Sequence, residues 1–115
     1  MKKPKNFKEF KKRFERLYAR SEKYREKVLG RWWTPKLKCG CLYGDTAEAL
    51  GIVEDTWDGG EIPSGLSLAT RYGIEIDIYD WENEKTKRGR RLLADKMLQF
   101  VEKNFERLID EKRVR

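Results

Sequence analysis

Lys36-Leu37-Lys38-Cys39-Gly40-Cys41-Leu42-Tyr43 is the stretch on which the reading of the fold turns. Leu37, Cys39, Cys41 and Tyr43 alternate with Lys36, Lys38, Gly40 and Leu42. Successive side chains of a strand point to opposite faces, so this period of two predicts a strand over 36–43 with both cysteines facing inward. A second strand is expected over 74–81, where Ile74, Ile76 and Ile78 share one face and Glu75, Asp77, Tyr79 and Trp81 the other. A third is expected near 52–57.

Outward from this sheet the period changes. Phe7, Phe10, Phe14, Leu17, Tyr24 and Val28 recur at spacings of three and four, with Ser21 filling the one gap. That narrow seam predicts a helix over about 6–29, ended by Gly30. At ~1.5 Å per residue such a helix is about 36 Å long. Part of its seam is therefore expected to bury against a second subunit, and the expected partner is another copy of the chain, as a homodimer. Ala94, Met97, Leu98, Val101, Phe105, Leu108 and Ile109 predict a second long helix over about 86–113. Asp45-Thr46-Ala47-Glu48 has the spacing of a capping box and opens a short helix that Gly51 stops. Trp57 to Gly65 is a loop on composition. The expected fold is a single α+β domain over 1–115, two long basic helices flanking a small sheet.

Composition removes several classes of chemistry. Charged residues make up 41% of the 115 residues, against an ordinary figure of about 25%. Aromatics at 12% still provide for a core. No apolar run approaches the ~20 residues of a membrane span, and Phe7 lies inside a lysine-rich stretch unlike a secretory leader. A cytoplasmic protein with no membrane role is expected. There is no histidine, so triads with a histidine base are excluded. Two cysteines fall short of the four ligands of a structural zinc site in one chain. Three Asn and one Gln beside abundant Lys, Arg and Glu give the balance expected of a protein from a very hot environment.

The net charge of +7 is segregated. Residues 1–31 carry 13 basic and 4 acidic side chains, residues 32–84 carry 3 and 11, and residues 85–115 carry 11 and 5. Two basic ends around an acidic middle suggest an anionic partner, or ends that fold back on the middle. Lys8, Lys12, Arg16 and Arg20 stand four apart, facing away from the apolar seam. Like charges at that spacing repel by roughly 0.2–0.5 kcal/mol per pair, which a bound polyanion offsets. Lys85, Lys87, Arg88, Arg90 and Arg91 cluster at the expected start of the last helix, where a phosphate would meet side chains and free backbone amides together.

Other groups have more than one reading. Glu75 and Asp77, with Asp55, Asp58 and Glu61, could hold a divalent metal for phosphoryl transfer or form an ordinary solvated strand face. Cys39 and Cys41 could share a four-sulfur zinc site with a second subunit, be redox active, or be small buried core residues. Trp32, Trp33, Trp57 and Trp81 could stack on bases or fill the core.

The function these features predict is non-catalytic nucleic-acid binding by a small accessory or regulatory protein. Phosphate contacts are expected from Lys87, Arg88, Arg90 and Arg91 with help from Lys12 and Arg16, and no catalytic residue, metal or cofactor is expected. Replacing Arg90 and Arg91 is expected to weaken binding and leave the thermal midpoint nearly unchanged. The alternatives are a divalent-metal-dependent nuclease using the acidic middle segment and a protein-interaction module docking an acidic partner. DNA and RNA are not distinguished.

Overall fold

The computed structural model describes residues 2–31, 33–52 and 80–110. Asn6 opens the first helix: its side-chain oxygen accepts from the Glu9 backbone N–H at 2.9 Å, satisfying one of the orphan amides of a helix start. Helix α1 runs Phe7–Lys23 and buries Phe10, Phe14, Leu17, Tyr18 and Ser21. Tyr24 leaves helical geometry (φ −109°, ψ 24°), and a single turn, α2, Arg25–Val28, follows. Gly30, at φ +74°, takes the left-handed conformation that turns the chain away.

The expected helix over 6–29 is thus broken at Tyr24, and α1 is only about 25 Å long at 1.5 Å per residue. Its seam is also covered from within the chain, since Phe10 and Phe14 are 0% exposed. The argument for a dimer through this seam falls on both counts.

The segment that decided the sequence reading is not a strand. Thr34 and Cys39 form one isolated antiparallel bridge, with the Thr34 N–H donating to the Cys39 carbonyl at 2.8 Å. Between them the Leu37 and Lys38 amides both return to the Thr34 carbonyl, and Lys38 sits at φ 54°. This is a tight loop begun at Pro35. Helix α3, Leu42–Ala49, starts immediately after it, so Leu42 and Tyr43 are helical. Asp45 lies in the first turn of α3 rather than at its cap, which is Cys41.

Helix α3 ends in a Schellman motif: the Ile52 N–H donates to the Ala47 carbonyl and the Gly51 N–H to the Glu48 carbonyl. Gly51, at φ +70°, is required twice over. A Cβ there would stand 2.7 Å from the Lys3 backbone nitrogen, because the chain just before α1 lies against this turn.

Two further helices complete the described chain, α4 at Asp80–Asn83 and α5 at Lys87–Ile109. Thr86 caps α5 by accepting the Gly89 N–H at 3.0 Å. Asn104 is a local kink, where its side chain donates to the Phe100 carbonyl at 2.9 Å. Helix α5 runs antiparallel to α1: Arg90 meets Glu22 and Phe105 meets Phe7. The step from 22 back to 7 on one helix matches the step from 90 on to 105 on the other.

Helix accounts for 69% of the described residues and no sheet occurs among them, so the α+β fold with a small sheet is overturned. Of the strand expected over 74–81, residues 74–79 lie outside the described residues, and Asp80 and Trp81 belong to α4. The strand near 52–57 and the loop 57–65 also lie outside them, apart from Ile52. One apolar cluster joins α1, α3, α4 and α5, with Trp81, Tyr43, Phe10 and Phe14 its largest fully buried members.

Candidate nucleic-acid interface

The outward face of α1 carries a row of basic side chains. Lys8, Lys12, Arg16 and Arg20 are all exposed. This face exists because the apolar seam turns the other way onto α3 and α5. Among the described residues no carboxylate pairs with Lys8, Lys12 or Arg16.

The acids of α1 are engaged elsewhere. Glu9 holds Arg13 one turn on, at 2.7 Å. Glu22 receives Arg90 through both carboxylate oxygens, at 2.7 and 3.0 Å. Glu15 receives Arg91 in the same forked manner, at 2.6 and 2.8 Å. Arg91 also pairs with Asp95 and lies 5.3 Å over the Tyr18 ring.

Arg90 and Arg91 are therefore not a phosphate-facing surface. Arg90 is 5% exposed, and its remaining amino group donates to the Glu84 carbonyl at 2.9 Å. The hydrogen-bonded carboxylates raise the pKa of both arginines above the ordinary guanidinium value. The sequence reading pairs neither Glu15 nor Glu22 with these arginines. Their signal is that Glu15, Tyr18 and Glu22 stand at i, i+3 and i+7, along one helix edge.

The start of α5 is likewise occupied. The Glu84 carboxylate accepts from the Thr86 amide and hydroxyl, both at 3.1 Å, and those bonds lower its pKa. It lies where a Cβ on Gly89 would be. A carboxylate from the chain itself thus holds the place in which a phosphate was expected. Lys85, Lys87 and Arg88 remain exposed around it. The structure brings Lys12 and Arg16 together on one face and leaves Lys87 and Arg88 on the surface at the start of α5.

Cys39 and Cys41 are buried free thiols. Burial pushes Cys41 up to about 12 and raises Cys39 as well, so both are protonated at neutral pH and poor nucleophiles. Beside them Asp45 is fully buried; its carboxyl accepts from the Ser21 hydroxyl and, at 2.9 Å, from the Gly40 N–H. Burial raises the Asp45 pKa well above the usual carboxylate range.

Among the described residues no group of three His, Cys, Asp or Glu side chains could hold a metal ion. Asp55, Asp58, Glu61, Glu75 and Asp77 lie outside the described residues, as do Trp32 and Trp57. Trp33 and Trp81 are buried and belong to the core. Among the described residues no helix is long and apolar enough to cross a membrane. No protein-family model matches the chain, and neither a curated protein nor a solved structure shows significant similarity to it.

Proposed function

We propose that the protein binds nucleic acid through phosphate contacts, without catalysis, as a small accessory or regulatory protein. The contacts are Lys8, Lys12 and Arg16 on α1, with Lys87 and Arg88 at the start of α5. The observation that carries this reading is the sorting of charge on α1. Every carboxylate of that helix is drawn into an ion pair with a residue other than these three. What remains outward is a row of cations four residues apart, whose mutual repulsion a polyanion relieves. Phe10, Phe14 and Tyr18 of α1 are buried, and Phe7 packs on Phe105, so stacking on bases is no part of this reading.

Mobility-shift titrations with duplex DNA, single-stranded DNA and RNA test the reading. Binding should weaken with salt, with a log–log slope near about −4.5 on duplex DNA for five contacts. Lys12→Gln with Arg16→Gln should reduce that slope by about 2 and weaken all sequences alike. Absence of binding to all three nucleic acids at ~50 mM salt, together with binding to polyglutamate, would replace this reading by one in which the row docks an acidic protein.

A further inference from the structure

The end of α1, the single turn α2 and the start of α5 surround a hollow of about 390 Å³. That is within the range of small-ligand sites, roughly 300–1,000 Å³, and far too small for a duplex. Lys23, Arg25, Lys27, Lys85 and Arg90 line it, against Glu22 and Glu26. Five cations less two acids leave a net charge of +3. The Arg90–Glu22 pair cancels internally, so the net charge is that of Lys23, Arg25, Lys27 and Lys85 less Glu26.

Arg25 is held in place independently of any ligand. One of its terminal nitrogens donates to the carbonyls of Glu82 and Glu84, at 2.6 and 3.0 Å, at the end of α4. Its ring neighbour is Trp81, 5.5 Å away. Its Nε–H is buried and makes no hydrogen bond. Lys23, Lys27 and Lys85 are exposed around it.

We propose that this hollow binds a phosphate monoester, carried at the end of the nucleic-acid strand that the α1 row holds; the second half of this statement rests on the function proposed above. The charge selects the monoester. A phosphodiester bears one negative charge, whereas a terminal phosphate bears about −1.5 to −2 at pH 7 and offers three acceptor oxygens. Lys23 lies on α1 itself, beyond Arg16 and Arg20, so the row runs directly into the hollow.

The experiment compares one single-stranded oligonucleotide bearing a 5′-phosphate, a 3′-phosphate or hydroxyls at both ends, with a nucleoside monophosphate as a free monoester. One phosphorylated form should bind about tenfold more tightly than the hydroxyl form. Lys27→Gln with Lys85→Gln should abolish that preference, while Lys27→Arg with Lys85→Arg keeps it; both positions are exposed, so neither pair disturbs the core. Equal binding of the three oligonucleotides, or a preference that survives the glutamine pair, overturns the proposal and leaves nucleic-acid binding standing. If no oligonucleotide binds but the monophosphate shifts the backbone amide resonances of Lys27 and Lys85, the monoester site stands and nucleic-acid binding falls. No shift with the monophosphate and no oligonucleotide binding overturns both.

Discussion

Asp45 is a carboxyl group in the core, facing Ser21 of α1 and the Gly40 amide. Burial lifts its pKa in the folded protein above the unfolded value of about 3.9. The folded chain thus keeps this proton to a higher pH than the unfolded chain does. The stabilisation is complete below about pH 4 and is lost as pH rises through the folded value, at up to about 1.4 kcal/mol per pH unit. Asn cannot ionise, yet it accepts from Gly40 and donates to Ser21. Urea midpoints of Asp45→Asn should accordingly hold steady above pH 4 where those of the parent decline. Parallel profiles for the two proteins from pH 4 to 8 would show that Asp45 does not retain its proton. None of this was legible in the sequence, where Asp45 had the look of a solvated helix cap. The signal of a cap is a short polar residue before an apolar run, and Cys41 took that place instead because the loop at 34–39 closes early. The alternation at 36–43 misled for the same reason: eight residues of period two do not distinguish a strand from a turn, and Pro35 with left-handed Lys38 forces the turn.

Helices α1 and α5 were legible because an apolar stripe at three–four spacing has few other ways to be buried. Their ends were not, since Tyr24 carries no breaker signal and the residues after Asp110 lie outside the described residues. What joins the helices was hidden altogether. The Arg90–Glu22 and Arg91–Glu15 pairs span 68 and 76 residues, a separation at which pattern reading has no purchase. The two clips differ in burial and hence in strength. Arg90 and Glu22 side chains are 6% and 16% exposed, so Arg90→Ala strands a largely buried carboxylate and should cost about 3 kcal/mol. Arg91 and Glu15 are 37% and 38% exposed, and water screens that pair; Arg91→Ala should cost about 1 kcal/mol or less, part of it the contact with Tyr18. Thermal melts of the two single variants check the ordering. Equal shifts in midpoint would mean that burial does not separate them. The sequence-based expectation of a nearly unchanged midpoint is reversed by this geometry.

Across the molecule, contacts between α1 and α3 close a short stretch of chain, 24 residues from Ser21 to Asp45, whereas the clips to α5 close the long ones. Loop-closure entropy favours the short closure first. Arg90→Ala should therefore speed unfolding and leave the folding rate nearly unchanged, while Ala47→Gly in α3 slows folding; stopped-flow kinetics in urea give both arms. A folding rate that drops in step with stability for Arg90→Ala would place α5 docking before the barrier. The same separation has a consequence during synthesis. At roughly 5–20 residues added per second, Glu15 is made about 4–15 s before Arg91. Over that interval Glu15 and Glu22 are still free to temper the bases beside them. Only when the last helix arrives and claims those acids does α1 present an unrelieved positive face. Until α5 is made, a growing chain therefore carries a less positive α1 face and, on the function proposed above, a weaker pull on any nucleic acid near it.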